Sequence, residues 1–448
     1  LQFKSKFKFI HFIYTCMLLG LLLAFWSPLG FLLGDITVGI LTFFWRGMTV
    51  LFIWVVLLLL FIISSKGKML IAESFCALSK WIKLLIIVFF IIGILSASIK
   101  AFSPPTAFKA LAIDLSMLLC VLYLASYFKR YPEAINWLIA TVIICAILYF
   151  LITVGYLYAV DYLLHAPMNK SEYLSFILNQ LNFSNKRFLD HFISWFLPLL
   201  ALPLMSSNYV KLMKVLSFIA MVALWFFVIA HASRSILVEY VVILLVMSVL
   251  NYRMTIRFFF YHLSAAVIAA LLFIIVNSSV GLLSVLERDV LANGDRWLLW
   301  ARTLNIAIHN PLLGVGELNL VFYLQDYPHN IVLAVFAQWG VVALAAFLLV
   351  VLRSFIRAVQ LMKEYIQSEL YFVAFSSVLA GMIHALFSNL FRMPLSQISL
   401  IFALGLLLSF MRTKSVSLRI VPLIGMNVFF VILMAVFIIL PMYYVTAM

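Results

Sequence analysis

The sequence has 448 residues, 67% hydrophobic and 10% charged, with a formal net charge of +15 and a mean hydropathy of +1.21. Soluble domains carry about a quarter charged residues, so a soluble fold is excluded, and no run of short period-two segments suggests a β-barrel. Nor does the positive charge point to nucleic acid, because the basic residues sit in short loops between apolar runs, the arrangement that orients membrane proteins.

Lys4, Lys6 and Lys8 precede the first apolar run. No small-residue cleavage site follows and further spans come at once, so this run is read as a first helix and not as a signal peptide. Apolar runs of about 20 residues then recur along the chain. The expected spans are 9–32, 37–64, 82–101, 108–128, 134–159, 190–206, 212–231, 235–251, 257–278, 330–353, 370–390, 394–411 and 420–444. The fold expected is all-α: a polytopic integral membrane protein of about 12–13 transmembrane helices with two longer loops. Helices over 1–159 are followed by a loop at 160–189, central helices over 190–278, a second loop at 279–329 and C-terminal helices over 330–448. Cys16, Cys76, Cys120 and Cys145 lie scattered in or beside apolar runs and read as small packing residues. No internal repeat, low-complexity linker or terminal soluble domain is evident.

Counting Lys and Arg over alternate loops gives 19 on one side and 11 on the other, many of the latter in the two long loops. The richer side is assigned to the cytoplasm. Both long loops and the turn His231–Ala232–Ser233–Arg234 then fall on the opposite side. That side gathers Arg187, Arg234, Arg288, Arg296, His329, His384 and Arg392, with Glu239 just over one turn below Arg234. Arginine offers a rigid, always-charged fork suited to phosphate, whereas lysine would serve equally well as a membrane-edge anchor. Several arginines from distant parts of the chain therefore suggest a diphosphate site. The alternative is that they are interfacial anchors or counter-ions for Asp190, Glu239, Asp289 and Asp295.

His329 follows Tyr327–Pro328 at the end of the second loop. It suits a general base acting on a hydroxyl acceptor; alternatively it is an interfacial polar residue beside Asn330, which would cap the next helix. No H-E-x-x-H, D-x-D or carboxylate cluster marks a metal site, and no cofactor is expected. Gly314–Val315–Gly316 lacks the preceding strand and third glycine of a nucleotide-binding loop and reads as a turn.

Asp295–Arg296–Trp297–Leu298–Leu299–Trp300, Asn310–Pro311–Leu312–Leu313–Gly314–Val315–Gly316, Pro328–His329–Asn330 and Gly340 follow in order. Together with Asn185–Lys186–Arg187–Phe188, Trp195, Pro198, Ser233–Arg234, His384, Pro394 and Gln397, they resemble the O-antigen ligase and polymerase superfamily. The resemblance covers roughly 180–400. It implies a GT-C-like, multi-pass glycosyltransferase of the bacterial inner membrane with a periplasmic active site. The donor implied is a glycan on undecaprenyl diphosphate. The acceptor implied is lipid A-core in ligases, another lipid-linked glycan in polymerases, or a protein hydroxyl in O-oligosaccharyltransferases.

On this reading His329 is the catalytic base, and Arg187 and Arg234 hold the diphosphate with Arg288 or Arg296. His384, Asn330 and Glu239 support the site or the acceptor, membrane lipid surrounds the helices, and no nucleic acid is involved. The short, apolar stretch after Arg412 favours the ligase branch, whereas the pattern around Arg187 also fits protein acceptors. One displacement would invert the anomeric carbon without a metal. The rival from another class is a transporter of lipid-linked glycans. Transporters place charge near the midplane and often show inverted repeats, whereas here the charges collect at one face.

Overall fold

The computed structural model of the chain describes residues 65–164, 187–280, 294–324 and 326–411, together with Tyr14, Thr15, Met17, Leu18 and Leu21. Every regular element among these residues is helical. Helices α1 (Ser65–Ala77), α2 (Lys80–Ile99), α3 (Pro104–Arg130) and α4 (Ala134–Leu164) form the first group. Helix α5 (Arg187–Phe196) runs into a 3-10 turn at Pro198–Ala201 and a helical turn at Leu202–Met205, and leads to α6 (Lys211–Ala230) and α7 (Arg234–Val280). Then come α8 (Gly294–His309), α9 (Leu320–Leu324), α10 (Ile331–Glu364), α11 (Glu369–His384) and α12 (Pro394–Leu408). Six of the described helices are long and apolar enough to cross a membrane. The chain is an all-α, multi-pass membrane protein.

Ten of the expected spans coincide with described helices. Spans 37–64 and 420–444, and most of 9–32, lie outside the described residues. Local chemistry sets several boundaries. Ser79 caps α2, Asn330 caps α10 and Ser368 caps α11, each through its side-chain oxygen. Proline opens α3 and α12, where its missing N–H has no intrahelical partner to lose.

Helix α7 is a hairpin and not one long rod. Asn251 leaves the helical region at φ −157°, ψ 80°, and its side chain accepts from the Met254 N–H to cap the second limb. Tyr240 and His262 lie equal steps either side of Asn251, with the Tyr240 hydroxyl 3.3 Å from His262 Nδ1. Twenty-two residues of straight helix would hold them about 33 Å apart. The two limbs are the expected spans 235–251 and 257–278.

Lys129, Arg130 and Arg257, three of the basic residues assigned to one side by counting, meet at one end of the bundle. There Lys129 donates to the Met411 carbonyl at 2.8 Å, Asn251 to that of Ile366 at 2.8 Å, and Arg257 pairs with Glu369 at 3.8 Å. Arg130 pairs with Glu73 at the same end. The opposite end carries the start of α5, the α6–α7 turn, α8, α9, the start of α10 and the end of α11. Lipid provides no hydrophobic drive between helices, so they associate through close packing of small residues. Ala97, Ala107 and Ala343 pack around Trp339 in this way.

Two features depart from the sequence reading. The loop expected at 279–329 contains α8 and α9 from Gly294 onward. Its apolar content is too low for a span but sufficient for an amphipathic helix. The span expected at 330–353 is interrupted: Gly340, at φ 83° and ψ −177°, breaks α10 into limbs 331–339 and 341–364.

Candidate functional site

The break in α10 is filled by the turn after α8. Val315 N–H donates to the Ala337 carbonyl at 3.0 Å, Gly316 N–H to that of Gln338 at 2.9 Å, and Val341 N–H to that of Pro311 at 2.7 Å. Ser96 of α2 adds a hydroxyl donor to the Gln338 carbonyl at 2.8 Å. The groups orphaned by the break are thus satisfied from outside the helix, as an interior position requires. Glu317, buried in the same turn, pairs with Arg392, which also reaches Asp114 of α3 at 3.6 Å. Arg392 is committed to this lock. Close by, burial and then the Asp114 carboxylate push the Tyr327 phenol well above its ordinary range.

Beside the lock lies a buried polar network at the first turns of α5. Asp190 takes His231 Nδ1 at 3.0 Å on one oxygen and the Ser233 hydroxyl at 2.5 Å on the other. One turn on, Ser194 Oγ lies 2.6 Å from His384 Nδ1 and donates to Glu239 at 3.1 Å; Glu239 and His384 Nδ1 are 2.7 Å apart. The other face of His384 turns Nε2 to Ser235, 3.4 Å away and next to Arg234. His191 Nε2 meets the Ser388 hydroxyl at 2.7 Å. Asp190, His191, Ser194, His231, Glu239 and His384 are all buried. Among the described residues, Asp190 and Glu239 bond to histidines and serines. Sequence reasoning treated Asp190 only as a counter-ion and gave no role to His191, Ser194 or His231. One signal was present: 187, 190, 191 and 194 are all polar, which puts a single polar stripe on an otherwise apolar helix.

The network has a measurable cost of disruption. Removing the Asp190 side chain leaves His231 Nδ1 and the Ser233 hydroxyl without their buried partner, at about 1–3 kcal/mol each. Asp190→Ala should therefore lower thermal stability sharply in detergent, whereas Asp190→Asn, which keeps a hydrogen-bonding shape, should lose much less. Equal losses in both would show that the network depends on the carboxylate charge and not on its hydrogen-bonding shape.

His329 lies at the edge of this region. Ile331 N–H donates to the Ala385 carbonyl at 3.0 Å, joining the start of α10 to the residue after His384. Trp300 of α8 donates its indole N–H to the Pro328 carbonyl at 2.7 Å. Between these anchors His329 adopts a left-handed backbone, φ 50°, with Nε2 3.7 Å from Asp326. Ala232 and Leu318 are the other non-glycine residues with positive φ among those described, and both also lie in turns at this end. Such strain persists where surrounding contacts over-determine it, commonly at functional sites. Asn330 is the N-cap of α10.

Of the expected phosphate ligands, Arg187 opens α5, Arg234 opens α7 and is exposed, and Arg296 lies half-buried in the first turn of α8. Arg288 lies outside the described residues, as do the side chain of Arg187 and the loop at 165–186. Among the described residues, no three of His, Cys, Asp or Glu are grouped so as to hold a metal ion.

Comparison with known families decides what this end of the molecule belongs to. Residues 219–348 match the model of the O-Antigen ligase family. The chain carries an O-antigen ligase domain. No curated protein and no solved structure matches it. The matched region takes in Arg234, Glu239, Arg288, Arg296, His329, Asn330 and Gly340, and hence the hairpin, α8, the 311–316 turn and the break in α10. Arg187, Asp190, His191 and His384 fall outside the matched residues, and of these Asp190 bonds to His231 and Ser233 and His384 to Glu239 within them. The match supports a glycosyltransferase of the O-antigen ligase and polymerase kind.

Proposed function

We propose that the protein transfers a glycan from undecaprenyl diphosphate to an acceptor hydroxyl on the periplasmic side of the inner membrane. The acceptor proposed is lipid A-core. Supporting this is one juxtaposition: within an O-antigen ligase domain, His329 is held in a strained turn bonded to the α11 end, and His384 there reaches the Arg234 turn. Arg187 and Arg234, with Arg296 or Arg288, hold the diphosphate through charge-assisted, bidentate bonds. His329 accepts the proton of the acceptor hydroxyl as its oxygen attacks the anomeric carbon. The bond to the diphosphate oxygen breaks in the same displacement, inverting the centre, and the leaving diphosphate keeps the electron pair beside the arginines.

Glu239 and His384 act by support. Their contact orients the imidazole and fixes the start of α7, so Arg234 is presented from a rigid base. If Arg234 grips phosphate through its fork, Arg234→Lys should weaken donor binding almost as much as Arg234→Ala. A lysine variant that binds donor normally would reduce the residue to a point charge.

The deciding experiment is transfer in vitro, run with and without EDTA. Purified protein receives an undecaprenyl-diphosphate glycan and, in separate reactions, lipid A-core, a second donor molecule or a pilin-like protein. Product on lipid A-core alone supports the ligase reading. Product on another acceptor moves the protein to the polymerase or protein-transferase branch. Donor binding without any product returns the transporter reading, and loss of product on adding EDTA overturns the arginine-based mechanism.

A further inference from the structure

Helix α8 divides into three sectors at about 100° per residue. Thr303 and Ala307 are fully buried on the face packed against α10. Trp297, Ala301, Leu304 and Ile308 form a second sector, all four within about 60° of one another, and all are exposed. Arg302, Asn305 and His309 form a third, also exposed, with only Leu298 among them. A helix of a water-surrounded domain has two sectors. A third sector, apolar and exposed, requires a second apolar phase besides the protein interior.

The neighbours of α8 identify that phase. On α2, Leu84, Ile87, Ile91, Leu95 and Ile99 form an exposed apolar ridge at helical spacing along a membrane span. The ridge continues past the helix end into Phe102, 72% exposed, which meets Phe322 of α9 at a ring distance of 4.9 Å. Phe322 is itself exposed, and α9 packs on α8. The apolar belt that faces lipid along α2 thus runs on through Phe102 and Phe322 towards the α8 stripe.

We infer that α8 is an interfacial helix, lying along the membrane surface with Trp297, Leu304 and Ile308 in the acyl–headgroup boundary. Asn305, His309 and Arg302 form the polar sector, turned to the headgroups and water. Short amphipathic helices with an aromatic residue on the apolar side and a cation on the polar side bind membrane surfaces in this orientation. The inference needs only the membrane-spanning helices, not the transfer reaction. Where the proposed reaction also holds, α8 takes part in it through position. Arg296 is in its first turn and Trp300 is bonded to Pro328, so lipid seating sets the depth of both a phosphate ligand and His329.

Spin labels test the placement in the full chain, reconstituted in phosphatidylethanolamine–phosphatidylglycerol vesicles. Cys16, Cys76, Cys120 and Cys145 are replaced by Ala and single cysteines introduced as Leu304→Cys, Ile308→Cys, Asn305→Cys or His309→Cys. The ratio of oxygen to nickel-chelate accessibility should be several-fold higher at 304 and 308 than at 305 and 309. Equal ratios at all four sites would overturn the inference. So would immobilised, dipolar-coupled labels at 304 and 308, which would mean that a second copy of the chain covers the stripe. A measurement in the cysteine-intact protein guards against misfolding of that background. Acyl chains brominated near the headgroup should quench wild-type fluorescence more than that of Trp297→Phe, and identical quenching counts against lipid contact. Neither readout needs activity, so a failed transfer assay and a failed placement remain distinguishable.

Discussion

His329→Ala should bind the lipid-linked donor nearly as well as wild type and transfer its glycan about 10²–10⁴-fold more slowly, the usual contribution of a positioned general base. The expectation follows from placement: His329 sits in a turn fixed at both flanks, by Trp300 on Pro328 and by Ala385 on Ile331, while its ring is only half-buried. The side chain can therefore be removed without unmaking either anchor. Donor retention by the purified variant, measured with a labelled lipid-linked glycan, separates loss of chemistry from loss of binding. His329→Gln, which keeps hydrogen-bonding capacity but cannot take the proton, should be as slow as His329→Ala. Normal turnover in either variant would remove the base assignment, and loss of donor binding in both would make His329 part of the phosphate grip instead.

How much of this could be read from the sequence depends on the range over which each feature is encoded. Helix positions are local, set by runs of about 20 apolar residues, and the described helices fall where those runs lie. The hairpin in α7 was equally legible, because Asn251, Arg253 and Arg257 interrupt two apolar runs. The sidedness of the basic residues is local too, and Lys129, Arg130 and Arg257 of that set meet at one end. The pairs that build the site are not local. Glu239 and His384 are 145 residues apart, Asp190 and His231 are 41 apart, and no spacing rule connects either pair. Buried histidines on apolar stretches look like isolated polar residues until the fold supplies their carboxylates. Helix α8 was missed for a different reason. Its pattern fits neither a span nor an ordinary two-faced amphipathic helix, since part of its apolar surface points away from the protein.

Gly340→Ala should be the most damaging single-methyl change in the domain. At φ 83°, ψ −177° the backbone occupies a region open essentially to glycine alone, where any other residue costs on the order of 1–3 kcal/mol. Steric conflict adds to this: a Cβ there would lie 2.2 Å from the Leu312 carbonyl oxygen and 2.7 Å from that of Pro311, both main-chain atoms that cannot swing aside. The lock is reciprocal, because a Cβ on Gly314 would meet the Gln338 carbonyl at 2.4 Å. Driving the 311–316 turn out of the break would strand the Ala337 carbonyl and the Val341 N–H and leave the Gln338 carbonyl with Ser96 alone, each at further cost. The variant should therefore lose several degrees of melting temperature in detergent, and with it the geometry of α8 and His329. Gly155→Ala is the matched control: Gly155 lies in helical α4 with nothing within 4 Å of its would-be Cβ, so alanine should be neutral or slightly stabilising. Ser96→Ala, removing one of the outside donors to the break, should fall between them at about 1 kcal/mol. If Gly340→Ala melted with the control, the turn would be resting beside α10 and not holding it open, and the link from the lock to His329 would have to be abandoned.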